Sequence, residues 1–430
     1  MKRPPAIVRS MTTLMSGSVL GQLIALAAYP LVTRLFSPSD FGLFNIFYSY
    51  VEVFIILATG KYELAFPLTA DSREARALLR FTRRLNAVVS LLLLTAIALL
   101  VVCDALPGKT RALGAVALLL PPLVFFAGSA RIHSFLFNRY QRYRPIAVSA
   151  VVYGAATSLA KVLFGLSSRL LPLFAKAGLP SATVFGQVAA DVSYRLRIRR
   201  LPVAQAEPPS RAAALAAARK FRNFPLYVLP KDFISSFSYN LPFIWLALYF
   251  DNAVVGLFSL ALTFTFRPVT LVNADMERVL YMRVCNRVAA GRPVCGDMLR
   301  ILLRVNLLAL PACLLFFFVA EPLFVWVFGG EWAGCGYYVR WLLPWCYVSF
   351  TSMMLSFVPN IFSTQRMEFL FYVVLLLLRV IAVVAGIVFQ SFRLAVAAYS
   401  LSGLLVSSGL LVWYIWQLRR HDRRVAGERR

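Results

Sequence analysis

The sequence predicts an all-α integral membrane protein of about twelve transmembrane helices. Its composition, the distribution of its basic residues and an internal repeat all favour this fold class. The chain has 430 residues, of which 60% are hydrophobic and 15% are charged, whereas soluble domains carry about 25% charged residues. Most of its surface must therefore face something other than water.

Charged or turn-rich positions divide the chain into apolar stretches of about 20 residues, the length that crosses a bilayer as a helix. The first stretch continues past Leu31 without a small-residue cleavage site, so we interpret it as a retained helix rather than a signal peptide. The predicted spans are 11–35, 41–66, 85–103, 112–137, 145–166, 171–190, 226–249, 253–277, 305–320, 337–361, 369–389 and 394–417.

Lys and Arg residues alternate between rich and poor connections along the chain. With the N-terminus in the cytoplasm, the predicted cytoplasmic segments hold 32 of them and the opposite loops hold 4. Basic residues are retained on the cytoplasmic side of short loops, so both termini are predicted to be cytoplasmic. The net charge of +27 follows the membrane topology, and no nucleic-acid partner is expected.

Several short motifs recur in the second half of the chain in the same order. The offset is 214 residues at the first matches and grows to 224, as small loop insertions would cause. This pattern predicts a parallel repeat of two six-helix lobes, residues 1–200 and 223–430, joined by a cytoplasmic linker at 201–222. The matched pairs are Gly42-Leu43-Phe44 with Gly256-Leu257-Phe258, Glu63 with Glu277, Arg84-Leu85-Asn86 with Arg304-Val305-Asn306, and Gln141-Arg142 with Gln365-Arg366.

Motifs distributed along nearly the whole chain resemble a known family of exporters. They are Thr33-Arg34-Leu35-Phe36-Ser37-Pro38-x-Asp40-Phe41-Gly42, Tyr62-Glu63-Leu64-Ala65, Asn138-Arg139-Tyr140-Gln141-Arg142-Tyr143-Arg144, Phe224-Pro225-x-Tyr227, Leu241-Pro242 and Phe328-Gly329-x-Glu331-Trp332. The family is the Wzx-type polysaccharide flippases of the multidrug/oligosaccharidyl-lipid/polysaccharide (MOP) superfamily. One departure is Thr263, where the family often has an arginine; here Arg267 directly precedes Pro268.

The resemblance implies a MATE-like fold in the bacterial inner membrane. It also implies outward flipping of an undecaprenyl-diphosphate-linked oligosaccharide by alternating access, for O-antigen, capsule or exopolysaccharide assembly. The implied partners are this lipid-linked sugar, membrane lipids, a polysaccharide polymerase and a chain-length regulator. No covalent reaction and no cofactor are implied, although a proton or sodium gradient is a candidate driving force.

Cations inside the predicted spans are the candidate binding groups for such an anionic cargo. A charge at the bilayer centre costs roughly 2.5–3.5 kcal/mol on insertion scales, so each one needs a partner, a watery cavity or an escape to the interface. Depth favours cavity positions for three of them. The candidates are Lys161, Arg267 and Arg379, followed by Arg34 and Arg131, which are as readily explained by structural pairing.

Acidic residues inside the spans are fewer. Glu52, at mid-span, is a candidate for coupling a proton or sodium ion, or for neutralising a cation. Glu63 and Glu277 lie at matched inner ends, where we expect them to hold helix ends to the adjacent arginine-rich loops in a structural or gating role. Lys61 is expected to snorkel inward, and His133 has no acidic partner that the sequence reveals.

Three alternative functions remain. A multidrug exporter of the same superfamily should offer acids to cationic drugs, but the mid-membrane charges here are mostly basic. A peptidoglycan-precursor flippase is chemically close. A polymerase or ligase would need a large catalytic outer loop, and the longest predicted outer connection, 321–336, is short. The six cysteines are scattered, and no metal site is expected.

Overall fold

The computed structural model describes residues 6–105, 108–168, 173–362 and 364–427. Within these ranges the chain is almost entirely helical and contains no strand, which confirms the all-α prediction. Residues 1–5 and 428–430, at the predicted cytoplasmic ends, lie outside the described residues. The chain divides into two compact units, residues 1–248 and 249–430. The predicted lobe boundaries at 200 and 223 stay a prediction.

Ten α-helices begin within the described residues of the first unit, and the last of them crosses its end. Four short 3₁₀ or π segments, Tyr62–Leu68, Gly108–Leu119, Phe224–Val228 and Pro242–Leu246, connect or interrupt them. The α-helices are α1 Ala6–Leu35, α2 Pro38–Thr59, α3 Ser72–Val102, α4 Leu120–Arg139, α5 Tyr143–Ser167, α6 Leu173–Ile198, α7 Pro202–Gln205, α8 Arg211–Lys220, α9 Leu229–Leu241 and α10 Ala247–Tyr249.

The second unit is built from longer helices. A 3₁₀ turn, Gly330–Trp332, separates two of them. The α-helices are α11 Asn252–Ala289, α12 Cys295–Phe328, α13 Cys335–Met353, α14 Val358–Phe362, α15 Gln365–Val388 and α16 Phe392–Gly427.

Nine helical segments among the described residues are long and apolar enough to cross a membrane. The regions of the other three predicted spans are also helical, in α1, in α6 and in the interrupted segment 224–249. These findings show a multi-pass membrane protein. The count of twelve spans and the cytoplasmic termini stay predictions.

Two helices present long apolar faces outward. On α12, Leu303, Leu307 and Leu308 are 72%, 76% and 79% exposed, and on α3, Leu91 and Leu92 are 60% and 63% exposed. Such surfaces are unfavourable in water but suit contact with lipid tails, which are as apolar as leucine. The sequence repeat pairs these two helices with each other, so both halves use the corresponding helix in the same way.

The repeat is also visible in an interhelical hydrogen bond. Asn86 of α3 donates to the carbonyl oxygen of Phe125 in α4 at 2.9 Å. Its sequence match Asn306 of α12 accepts from the hydroxyl of Thr351 in α13 at 2.8 Å. In each half, the matched asparagine therefore ties its helix to the next long helix in the chain.

Small residues allow α1 to lie directly against α5. A Cβ atom added to Gly154 would lie 2.3 Å from the carbonyl oxygen of Gly21, and one added to Gly21 would lie 2.5 Å from the carbonyl oxygen of Ala150. Both contacts are with backbone, which cannot move aside as a side chain can. Close backbone approach through small residues is typical of helix packing in membranes.

We expect Gly154→Ala to lower the free energy of unfolding by about 1–3 kcal/mol, because the added methyl group forces α1 and α5 apart. Gly296→Ala is the matched control, since a Cβ atom there meets nothing within 4 Å. The melting temperatures of the two purified variants in detergent give the comparison. Equal melting temperatures would show that the α1–α5 contact tolerates expansion.

Candidate functional site

The first motif of the sequence forms the start of α2. The Ser37 amide donates to Asp40 Oδ2 at 2.9 Å, and the Asp40 amide donates to Ser37 Oγ at 3.3 Å. This reciprocal arrangement is a capping box, and Pro38 occupies the first turn, where its missing N–H costs nothing. This part of the family motif therefore fixes where the second helix begins.

Two further motifs meet at the end of α2. The Tyr62–Leu68 segment forms a 3₁₀ turn, and Arg139 of α4 donates to the carbonyl oxygens of Phe66, at 3.1 Å, and Thr69. A guanidinium group offers several donors in a fixed geometry, so one side chain bonds two carbonyl groups of this turn. Arg139 thereby holds this turn against α4.

Glu63 lies in the same turn and is completely buried, at 0% exposure. Its Oε1 atom lies 3.1 Å from Nε of Arg131 on α4. The sequence led us to expect a partner in the arginine-rich loops, but the partner lies in a long helix. A buried carboxylate requires a nearby cation, and Arg131 supplies it.

A cavity of about 360 Å³ lies inside the first unit between α2, α4, α5 and α6. Glu52 and Arg131, both candidates from the sequence, line it together. Tyr48, Tyr153 and Gln187 add two aromatic rings and an amide. The cavity thus combines one acid, one base and neutral polar groups, whereas Arg34 and Lys161 do not line it.

Lys161, on α5, lies among aromatic rings. Its Nζ atom is 5.2 Å from the ring centre of Phe44 and 5.7 Å from that of Tyr29. Cation–π contacts at this range stabilise an ammonium group within an apolar surrounding. Arg34, at the end of α1, is exposed.

In the second unit, Arg379 of α15 is 97% buried, with 3% of its surface exposed. Its guanidinium carbon lies 4.4 Å from the ring centre of Tyr399 and 5.3 Å from that of Trp345. Arg267 of α11 is exposed. The two cations that depth had grouped together therefore lie in different surroundings.

Glu277 has a neutral partner. Ser356, in the turn after α13, donates to Glu277 Oε1 at 2.8 Å. Glu63 contacts α4 and Glu277 contacts the end of α13, so the two matched acids lie at corresponding junctions of the repeat. Among the described side chains, Glu63 is paired with the Arg131 guanidinium group whereas Glu277 contacts a serine hydroxyl, so their electrostatic surroundings differ.

Sequence reasoning missed three polar side-chain pairs of the first unit. Asp191 lies 2.9 Å from Nδ1 of His133 and 2.6 Å from Nε of Arg195, and Lys61 lies 2.7 Å from Asp232. The four-residue spacing of Asp191 and Arg195 on one helix was a readable signal. The other two pairs join residues far apart in the sequence.

A metal centre needs several ligating side chains close together. Among the residues that the structure describes, no group of three or more His, Cys, Asp or Glu side chains is close enough to hold a metal ion.

Comparison with known proteins gives the family. No curated protein matches the chain, but a family model described as "Polysaccharide biosynthesis protein" matches residues 31–336.

Solved structures show the fold. The Lipid II flippase MurJ, in an inward closed conformation, is 11% identical with a TM-score of 0.74, covering 97% of this chain and 91% of its own. An inward-facing multidrug resistance MATE family transporter of the MOP superfamily is 13% identical with a TM-score of 0.70, covering 94% and 99%. A MOP superfamily transporter from Pyrococcus furiosus is 15% identical with a TM-score of 0.56, covering 97% and 96%.

The chain therefore has the MATE-like fold that the sequence resemblance implied. The family model covers well over half of the chain, and its description agrees with the motifs. On this evidence the chain belongs to the polysaccharide biosynthesis protein family.

Proposed function

We propose that this protein is a flippase of the bacterial inner membrane. Its cargo would be an undecaprenyl-diphosphate-linked oligosaccharide repeat unit, moved from the cytoplasmic to the periplasmic leaflet by alternating access. The observation that carries this proposal is the family match, which joins polysaccharide biosynthesis to a transporter-like fold in one chain. The flippase performs no covalent step. A polysaccharide polymerase and a chain-length regulator would act on the delivered units.

The charges inside the membrane support an anionic cargo. A diphosphate must lose much of its hydration to cross, and guanidinium and ammonium groups can replace lost water with charge-assisted hydrogen bonds. We propose Lys161, Arg267 and Arg379 as cargo-binding cations, with Arg34 and Arg131 as secondary ones. For Arg379 to bind the cargo, its contacts with Tyr399 and Trp345 must loosen during the cycle.

We propose Glu52 as the site of a coupling proton or sodium ion. It is half-buried and lines the first-unit cavity that Arg131 also lines. An acid in such a place can exchange a proton or a small cation while Arg131 and Glu63 balance the remaining charge. Glu63 and Glu277 would then hold the inner helix ends that must move.

Proteoliposomes containing a fluorescent undecaprenyl-diphosphate oligosaccharide test the proposal. Purified protein should exchange the lipid between leaflets faster than empty vesicles do, as measured by an outside quencher under imposed proton and sodium gradients. Absence of exchange under every gradient would overturn the proposal. Parallel vesicles contain a peptidoglycan lipid precursor or a cationic drug instead. If the protein moved only one of these compounds, that compound would replace the oligosaccharide lipid as the assigned cargo.

Single alanine variants of Lys161, Arg267 and Arg379 should each lower the exchange rate at least tenfold if the cation contacts the diphosphate during crossing. Arg292→Ala, which removes an exposed arginine of the loop before α12, is the matched control and should leave the rate unchanged. Rates are normalised to protein in the vesicles. If all three variants exchanged lipid at the wild-type rate, these cations would have a structural role and would not bind the cargo.

A further inference from the structure

A buried polar cluster joins three helices of the first unit near the cavity. His133 of α4 and Asp191 of α6 are both 0% exposed, and His133 Nδ1 lies 2.9 Å from Asp191 Oδ1. The same carboxylate oxygen accepts from the hydroxyl of Ser129 at 2.7 Å. Arg83 of α3 approaches the other ring nitrogen, with Nη2 2.6 Å from His133 Nε2. None of these residues belongs to the cargo site proposed above.

The partners of His133 determine its protonation state. A guanidinium group is always protonated and can only donate, so His133 Nε2 must accept from Arg83 and carries no proton. Asp191 is an acceptor when ionised, so the ring proton lies on Nδ1 and is donated to the carboxylate. His133 is therefore neutral in this conformation, with its proton on Nδ1.

A proton added to Nε2 would remove the acceptor that holds Arg83. Two N–H donors would then face each other, and a second positive charge would stand beside the guanidinium group. Arg83 is an exposed residue, so its side chain can turn away from the ring. The proton would thereby break the Arg83 contact between α3 and α4, while Asp191 would stabilise the imidazolium ion that remains.

Among the described residues, the further charged and titratable groups around the ring belong to α6. Arg195 Nε lies 2.6 Å from Asp191 Oδ2, and the ring of Tyr194 is centred 6.2 Å from that of His133. The two arginines oppose a second positive charge and the carboxylate favours it. Nearby charges of both signs therefore act on the protonation of His133.

The cluster shares its helix segments with the cavity. Arg131 and Ser134 flank His133 in the sequence, Ala190 precedes Asp191, and all three line the cavity. A shift of α4 against α3 would therefore change the position of Arg131 as well. Proton binding at the cluster and the shape of the cavity are mechanically connected through one helix.

We propose that His133, hydrogen-bonded to Asp191, is a proton-binding site. When the proton is bound, the site releases Arg83, so that the position of the N-terminal part of α3 depends on the pH. The existence of the site does not depend on the proposed flippase function, but its effect on transport rests on that function. The ligand is a proton taken up by Nε2; the Arg83 hydrogen bond to that nitrogen is lost, and no other covalent bond changes.

The chain contains only two histidines, so the His421→Asn variant leaves His133 as the single one. Protein labelled with ¹⁵N-histidine should give one signal pair at about pH 7.5, with the proton on Nδ1, and both nitrogens should become protonated as the pH is lowered towards about 4. A proton on Nε2 at neutral pH, or an imidazole that never titrates in this range, would overturn the proposal. The measurement needs no cargo.

The second test compares the pH dependence of lipid exchange in proteoliposomes. Wild type and His421→Asn should share one profile, with the rate changing at least threefold across the pH at which the His133 signal titrates. His133→Gln should flatten this profile, because an amide cannot take up the proton. An unchanged profile would overturn the coupling to transport. Titration of His133 in protein that exchanges no lipid would instead count against the flippase function alone.

Discussion

Replacing Arg131 with alanine is expected to destabilise the first unit severely. Glu63 is completely buried and is paired with the Arg131 guanidinium group at 3.1 Å. Removing one partner of a buried ion pair leaves an uncompensated charge, at a cost of about 3–5 kcal/mol. The free energy of unfolding in detergent, measured by denaturant titration, should fall by that amount. The yield of folded protein in the membrane should fall with it.

The double variant Arg131→Ala/Glu63→Gln separates the charge from the packing. A neutral glutamine needs no cation, so the double variant should recover most of the lost stability. Glu63→Gln alone should cost less than Arg131→Ala, because the remaining arginine is 38% exposed and can be hydrated. If the double variant were as unstable as Arg131→Ala, the loss would come from packing and the ion pair would contribute little.

The same double variant decides what Arg131 does in transport. It is expected to fold while leaving the cavity without its base, so lipid exchange can be measured with stability held nearly constant. A normal exchange rate would mean that the role of Arg131 is to pair with Glu63 and not to take part in transport. Loss of exchange would place Arg131 in contact with the cargo or with the coupling ion, as its presence in the same cavity lining as Glu52 favours.

Much of the fold could be predicted because its signals are local. Hydrophobic stretches and basic loops follow from the bilayer alone, and the repeat placed Asn86 and Asn306 at equivalent positions before their hydrogen bonds were known. The capping box at Ser37 is likewise encoded within four residues. The segment 224–249 was harder, because its π segments interrupt the helix in a way that no spacing rule reveals.

The site was less predictable because its contacts join distant residues. Glu63 and Arg131 were both candidates, yet they lie 68 positions apart, which hides their pairing. His133 seemed to lack an acidic partner until α6 brought Asp191 beside it. Depth in a span identifies a costly charge, but only the packing of helices shows whether an acid, an aromatic ring or a cavity receives it. Lys161 and Arg379 are each received by aromatic rings.

The Lys61 ammonium group does not reach the membrane surface as the sequence led us to expect. The sequence predicted that it would snorkel inward, but its side chain is only 4% exposed and its Nζ lies 2.7 Å from Asp232 Oδ2. Its backbone is left-handed, with a φ of 61°, directly after Gly60 with a φ of 58°. Such a conformation is uncommon for a residue with a side chain, so the ion pair must help to hold the turn.

We therefore expect Asp232→Asn to lower the free energy of unfolding towards the lower end of about 3–5 kcal/mol, because Lys61 stays buried without a carboxylate while Asp232 itself was 35% exposed. Glu207→Gln is the matched control. It breaks the ion pair between Glu207 and Arg73, whose side chains are 80% and 75% exposed, and should lower the free energy of unfolding by only about 0–1 kcal/mol. Denaturant titration of both variants gives the comparison.

The double variant Lys61→Gln/Asp232→Asn keeps both side-chain lengths and removes both charges. It should recover much of the stability that Asp232→Asn loses, since no ion then remains buried. Lys61 follows α2 whereas Asp232 lies on α9, between the two π segments, so this pair fastens an irregular helix to the turn that Glu63 and Arg139 also hold. Equal losses in Asp232→Asn and Glu207→Gln would mean that Lys61 reaches water and that other contacts hold α9 in place.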